Sequence, residues 1–139
     1  MQTTGKGKTI AIWVIKGLFL LLFGFSAVGK LLPLEQTTAG MVKYGLGDQV
    51  LLIGLGELAS VLLWVIPRTT AAGVLLLSAY MGGAIATHMQ HGEAYVIPAL
   101  VLALVWLVGW LSNPAMLGGL RDRPRVDAHG PGLARVPID

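Results

Sequence analysis

The stretch from Gln49 to Pro67, QVLLIGLGELASVLLWVIP, decides the fold of this 139-residue chain. It is apolar enough and long enough to cross a bilayer, yet it carries one carboxylate, Glu57, near its middle. A charge at the centre of a membrane helix costs about 2.5 kcal/mol or more, so such a residue seldom faces lipid. On a helical wheel the face that carries Glu57 combines polar, small and apolar residues, whereas the opposite face is nearly all aliphatic. The mixed face comprises Ile53, Gly54, Ser60, Val61 and Trp64. The pattern predicts a helix whose acid faces the protein interior and whose aliphatic face contacts lipid.

The composition of the whole chain agrees with a membrane protein. Hydrophobic residues make up 55% and charged residues only 12%, against about 25% charged in a soluble domain. The net charge is +3, but the basic residues form no stripe with interleaved aromatic residues, so nucleic acid is not an expected partner. The chain has no cysteine, which excludes thiol redox chemistry, disulfides and cysteine-ligated metal centres.

Four apolar segments predict an all-α, integral membrane bundle of four transmembrane helices, and the first loop predicts a short interfacial helix. The basic start could also belong to a signal peptide, but the first apolar run is longer than such peptides have, so we expect it to be retained. Residues 121–139 are rich in Arg, Pro and Gly and are expected to be disordered. The predicted segments are a cytoplasmic N-terminus at 1–8, helices at 9–32, 49–66, 70–90 and 94–111, and a cytoplasmic tail at 112–139.

The distribution of lysine and arginine predicts the orientation. One side of the membrane would hold seven basic residues and the other side two, so the positive-inside rule places both termini in the cytoplasm. The first group is Lys6, Lys8, Arg68, Arg121, Arg123, Arg125 and Arg135, and the second is Lys30 and Lys43. Trp13, Trp64 and Trp110 fall near the cytoplasmic ends of their helices, where an interfacial aromatic belt is expected.

Two helix faces suggest how the bundle packs. Small residues on the third helix predict a close approach to a neighbouring backbone; they are Ala72, Ala79, Gly82, Gly83 and Ala86. The first helix has a polar and small inward face and an apolar outward face. The inward face holds Lys16, Gly24, Ala27 and Lys30, and the outward face holds Val14, Leu18, Leu21, Leu22 and Phe25.

Glu57 is the strongest candidate for a functional residue, and Tyr80 on the third helix lies at a similar depth. One interpretation is a buried acid that binds a polar head group, handles a proton or pairs with Lys16. The other is a structural clamp formed through Tyr80, Ser26 or Ser60, and the sequence leaves both open. The long side chains of Lys16 and Lys30 could reach towards Glu57 from the two ends of the first helix, but snorkelling to opposite interfaces is favoured over contact with a ligand.

His88 and His91 end the third helix at a spacing that allows two imidazoles to share one metal ion, with Glu93 nearby. They are weak metal candidates, because a complete ligand set is not visible and a hydrated pair bonded to loop carbonyls is the favoured interpretation. No second transmembrane histidine faces them, which excludes a bis-histidine haem within one chain. Whether His88 reaches the surroundings of Glu57 stays open.

Several phrases together resemble the DoxX-like family of small membrane proteins. They are GLFLLLFGFSAVGKLL, GLGELASVLLWVIPR and AAGVLLLSAYMGGAIATHM, and the resemblance runs from about Gly17 to Leu111. It implies a four-helix bundle with a longer first loop. Some members look like membrane partners of redox or sulfur-oxidising enzymes that pass electrons to quinone, and distant relatives act as assembly chaperones. The absence of cysteine argues against direct sulfur chemistry here.

The leading hypothesis is a DoxX-like, multi-pass protein of the bacterial inner membrane that is non-catalytic or only indirectly catalytic, since no complete set of catalytic residues is visible. Glu57, Tyr80 and His88 would line an inward pocket, open to the outer leaflet, that binds a lipid-like or quinone-like molecule and supports a membrane redox system. The second hypothesis is a structural or chaperone-like partner of another membrane protein, and the third is an ion or proton pathway. Membrane lipids, a redox protein and further copies of the chain are the partners considered, and quinone is the one cofactor considered.

Overall fold

The computed structural model describes residues 3–32 and 34–120, and within these ranges the chain is helical with no strand. The first helix begins earlier than the predicted residue 9, so part of the polar start is helical, and the last begins at Val96 rather than at residue 94. The elements are α1 (Thr3–Leu31), α2 (Glu35–Lys43), a 3-10 turn (Gly47–Gln49), α3 (Val50–Val65), α4 (Thr70–Gln90), α5 (Val96–Ser112) and a second 3-10 segment (Pro114–Leu120). The expected disorder at 121–139 lies outside the described residues.

Three of these helical stretches are long and apolar enough to cross a membrane, namely Gly5–Leu31, Gly47–Val65 and Thr70–Gln90. The fourth, Val96–Ser112, is apolar but has only 17 residues, the lower end of the spanning range. The all-helical fold predicted from the four apolar segments is therefore confirmed, with lengths compatible with a membrane bundle. Glycines with positive φ follow two of the helices: Gly45 (71°) follows α2 and Gly92 (68°) follows α4.

The helices pack in chain order. α1 packs on α3, α3 on α4 and α4 on α5, while α1 meets α5 less extensively and so closes the bundle. One end, here called the termini end, gathers Lys8 of α1, Pro67 of the α3–α4 turn and Ser112 of α5. The other end, here called the loop end, gathers α2, the start of α3 and the α4–α5 turn, where Lys43 meets Glu93.

The core consists of aromatic and aliphatic side chains from all four long helices. Trp64 is fully buried against Phe19, with ring centres 5.3 Å apart, and its indole N–H donates to the Val105 carbonyl at 3.3 Å. The prediction that Trp64 belongs to an interfacial belt is therefore wrong: its ring fills the bundle centre and its polar atom finds a partner on α5. The core comprises Phe19, Phe23, Val61, Trp64, Val74, Leu77, Met81, Val105 and Val108.

The inward and outward faces of α1 and α3 agree with the helical-wheel prediction, but those of α4 do not. All five small residues of α4 that were expected to pack inward are exposed. The residue that allows close approach is instead Gly73, where a Cβ would lie 2.2 Å from the backbone nitrogen of Trp64. The buried residues of α4 are Thr70, Gly73, Val74, Leu77 and Met81. Val74, Leu77 and Met81 pack against the neighbouring helices, and this leaves the small-residue face on the outside.

Candidate functional site

Glu57 forms a buried ion pair with Lys30 of α1. The Lys30 ammonium donates to Glu57 Oε2 at 2.7 Å and to the Ser26 hydroxyl at 2.6 Å, and Lys30 and Glu57 are 5% and 1% exposed. Gly54 makes room for this contact, since a Cβ there would lie 2.9 Å from the Lys30 Cβ. The prediction that Lys30 snorkels outward is wrong, because a carboxylate within reach satisfies its charge inside the bundle.

Lys16 lies at the termini end and does not meet Glu57. Its ammonium donates to the carbonyls of Trp64 (3.1 Å) and Val65 (3.4 Å) and to the Thr70 hydroxyl (3.4 Å). It therefore caps the C-terminus of α3, where the carbonyls lack helical partners and the helix dipole favours a cation. The suggested Lys16–Glu57 pair is wrong, because the partners of the Lys16 ammonium are at the end of α3 and the start of α4. The snorkelling of Lys16 is also wrong, because the residue is only 2% exposed.

The two serine candidates, Ser26 and Ser60, have different hydrogen-bond partners. Ser26 belongs to the Lys30–Glu57 cluster, as described above, whereas the buried Ser60 hydroxyl donates to the Gly56 carbonyl of its own helix. Tyr80 of α4 is next to Glu57 and Ser26, and its ring centre is 6.0 Å from the Lys30 ammonium. The structure thus brings together Ser26, Lys30, Glu57 and Tyr80.

A cavity of about 350 Å³ lies at the loop end, between α2, α3 and α4. Tyr80 and His88 both line it, whereas Glu57 and Lys30 do not. The ion pair is therefore not a wall of the cavity; Tyr80 is the residue that belongs to both. The lining consists of Met41, Tyr44, Leu46, Ile53, Ala79, Tyr80, Gly83, Ala84, Thr87 and His88, and most of these side chains are apolar.

The two histidines form the same kind of hydrogen bond within α4 but differ in burial. His88 is half-buried, with Nδ1 2.8 Å from the Ala84 carbonyl, whereas His91 is exposed, with Nδ1 2.8 Å from the Thr87 carbonyl. A carbonyl accepts, so each Nδ1 carries the proton and Nε2 is the acceptor in the neutral ring. Within the described ranges, no three His, Asp or Glu side chains converge as a metal set.

The rim of the cavity carries a polar cluster that joins α2 to the α4–α5 turn. The Tyr44 hydroxyl donates to Glu93, the Lys43 ammonium lies 2.5 Å from Glu93 Oε1, and the Tyr44 ring faces both histidines, at 6.0 Å from His88 and 5.0 Å from His91. The hydrogen bonds from Lys43 and Tyr44 lower the pKa of Glu93. The hydrogen bond to Glu93 in turn raises the pKa of Lys43 and of Tyr44. Sequence reasoning missed Tyr44, because no periodicity marks a residue whose role depends on where a loop folds.

The fold and the site define a helical bundle of membrane-spanning type, with an acid and a lysine paired inside it and an apolar cavity beside them. Comparison with known families matches residues 14–108 to the DoxX-like family, and the chain belongs to that family. The resemblance seen in the sequence is thereby confirmed. Comparisons with curated proteins and with solved structures found no match.

Proposed function

We propose that this chain is a multi-pass protein of the bacterial inner membrane that binds a quinone-like or lipid-like molecule and so supports a membrane redox system. The observation that carries the proposal is the cavity at the loop end, whose walls are mainly apolar and whose polar groups are few. Its volume of about 350 Å³ lies in the range of small-molecule sites. The chain would hold the molecule and leave electron transfer to a partner.

The polar groups of the cavity suit a ring that carries oxygen substituents. The Tyr80 hydroxyl has one proton, which it can donate to a bound molecule or to Glu57 beside it. His88 Nε2 is an acceptor because Nδ1 is engaged with the Ala84 carbonyl. A donor on this helix can bond to a carbonyl oxygen of a quinone, and an acceptor can receive the hydroxyl proton of the corresponding quinol. Ala79 and Gly83 are small residues and form an open, apolar part of the cavity wall, against which the ring can lie.

The hydroxyl of Tyr80 provides the test. Tyr80→Phe keeps the ring and removes the donor, so a short-chain benzoquinone should bind about 2- to 10-fold more weakly to the detergent-solubilised chain. Tyr95→Phe is the matched control, because Tyr95 is exposed and does not line the cavity. The proposal fails if the two variants bind the quinone equally well.

The orientation is part of the same proposal, with the termini end in the cytoplasm. It is supported by Lys6, Lys8 and Arg68, which belong to that end. The chain has no cysteine, so single cysteines can report the topology. A cysteine at Gly5 should stay unlabelled by an impermeant maleimide in intact cells, and one at Gln90 should be labelled; the reverse result would invert the orientation.

A second candidate function is that of a scaffold for another membrane protein. It is favoured by the exposed small-residue face of α4, because small residues let membrane helices approach closely. Gly82→Leu should then release a co-purifying membrane protein while leaving ligand binding in the cavity unchanged. An ion pathway has less support, since apolar Phe19, Phe23 and Trp64 fill the core between Lys16 and the Lys30–Glu57 pair.

A further inference from the structure

A second pocket, of about 270 Å³, opens at the termini end, far along the bundle from the cavity of Tyr80. Its lining includes Lys8, Thr9, Trp13, Lys16, Pro67 and Ser112. Three elements meet there: the start of α1, the α3–α4 turn and the end of α5. The function proposed above does not use this pocket.

The charge of this pocket is positive and is not neutralised by any described carboxylate. Lys16 is buried, and its hydrogen bonds go to two carbonyls and one hydroxyl rather than to an acid. Within residues 3–32 and 34–120 the carboxylates are those of Glu35, Asp48, Glu57 and Glu93, and the ion pairs are Lys30–Glu57 and Lys43–Glu93. These acids belong to the loop end or to the bundle interior, so none of them offsets the charge of Lys16, which the α3 carbonyls offset only in part.

The rim of the pocket supplies groups that can contact an anion directly. The Lys8 ammonium has three donors, and the half-exposed Trp13 adds an indole N–H at the same rim. Lysine binds phosphate as a point charge, and basic pockets between membrane helices bind anionic lipid head groups. Ile12 and Leu111 also line the pocket and add apolar surface beside these donors, where acyl chains would run.

We propose that this pocket binds the phosphate group of an anionic membrane lipid. Lys8 contacts the phosphate directly, and the charge of the buried Lys16 attracts it from below the rim. The proposal rests on the membrane location of the chain and is independent of what the cavity at the loop end binds. The lipid is favoured over free phosphate because the pocket combines positive charge with an exposed tryptophan and aliphatic side chains at one bundle end.

The test is native mass spectrometry of the full chain, delipidated in mild detergent and titrated with phosphatidylglycerol or with phosphatidylcholine of the same acyl chains. Lys8→Gln should weaken phosphatidylglycerol binding about fivefold, as expected for one lysine at a membrane surface. Lys6→Gln is the matched control, because Lys6 is also an exposed lysine of α1 but does not line the pocket.

Three outcomes would overturn the proposal. Equal losses in Lys6→Gln and Lys8→Gln would mean that general surface charge attracts the lipid. Unchanged binding in Lys8→Gln would mean that the pocket is not the site. Displacement of the lipid by millimolar inorganic phosphate would assign the pocket to the free ion instead. Quinone binding at the loop end should be the same in both variants, which keeps this test separate from that of the proposed function.

Discussion

At the residue scale, two lysines that look equivalent in the sequence have different roles. Lys16 and Lys30 lie on the same face of α1, and that inward face was predicted correctly. Their partners could not be predicted, because the antiparallel register of α1 against α3 decides which carbonyl or carboxylate each ammonium meets. The structure pairs Lys30 with Glu57 and Lys16 with the end of α3.

The Lys30–Glu57 pair yields a prediction about stability. Lys30→Met leaves the Glu57 carboxyl buried without its partner, so the free energy of unfolding should fall by about 3 kcal/mol. Adding Glu57→Leu should restore most of the loss, because an apolar pair of similar volume can replace a buried ion pair. Thermal unfolding in detergent measures both changes.

The matched control uses the exposed ion pair at the cavity rim. Lys43→Met removes the same charge from a pair whose lysine side chain is 64% exposed, so unfolding should change little. If the double variant proves no more stable than Lys30→Met, the unpaired carboxyl is not the cause of the lost stability, and this account of the pair is wrong.

At the scale of the helix, close packing of α3 on α4 depends on Gly73. A Cβ at this position would lie 2.2 Å from the Trp64 nitrogen and 2.3 Å from its Cα, and backbone atoms cannot move aside as a flexible side chain can. Gly73→Ala should therefore destabilise the bundle by about 3 kcal/mol or abolish folding. Gly82→Ala should be tolerated, since no heavy atom of a neighbouring residue lies within 4 Å of the place that its new methyl group would take. Similar thermal unfolding of the two variants would contradict this packing.

The sequence predicted that α4 is helical but not which face is buried. The wheel of α4 offers a small-residue side and an aliphatic side, and in a membrane protein either can face inward. By contrast, α3 carries one acid, and the cost of exposing that charge to lipid fixed its orientation. Where the sequence contained one strong energetic penalty, the prediction was right; where it contained only a packing preference, it was wrong.

The contact between α2 and the α4–α5 turn should depend on pH. Because folding lowers the pKa of Glu93, its stabilising contribution is complete above the usual value of 4.5 and is lost as the pH falls through the lower folded-state value. The raised pKa of Lys43 preserves the pair up to 10.5, and the contribution is lost as the pH rises through the higher folded-state value. Amide exchange in α2, corrected for its intrinsic pH dependence, should accelerate as the pH falls below 4.5.

Glu93→Gln separates this contact from the titration of other carboxylates. In that variant α2 should exchange faster at pH 7 than in the unmodified chain and should lack the additional acid step. An identical acid response in the variant and in the unmodified chain would show that Glu93 does not hold α2 in place.

At the scale of the whole molecule, the two ends of the bundle differ in chemistry. The loop end has an apolar cavity with tyrosine and histidine groups, and the termini end has a positive pocket around Lys8 and Lys16. The Lys30–Glu57 pair lies inside the bundle and shares only Tyr80 with the cavity. Glu57 therefore lies beside the cavity rather than in its wall, and the residues that line the cavity belong to α2, the loop that follows it, α3 and α4.

The most direct test of the proposed binding function is whether filling the cavity removes a bound lipophilic molecule. The full chain and two variants, Gly83→Leu and Gly82→Leu, would be purified in mild detergent and compared by native mass spectrometry and absorption spectroscopy. Both glycines lie on α4 with open space around them, but only Gly83 lines the cavity. We expect a quinone-like or lipid-like adduct on the unmodified chain and on Gly82→Leu, and its loss from Gly83→Leu. An adduct retained by Gly83→Leu, or absent from the unmodified chain, would contradict the proposed binding in the cavity.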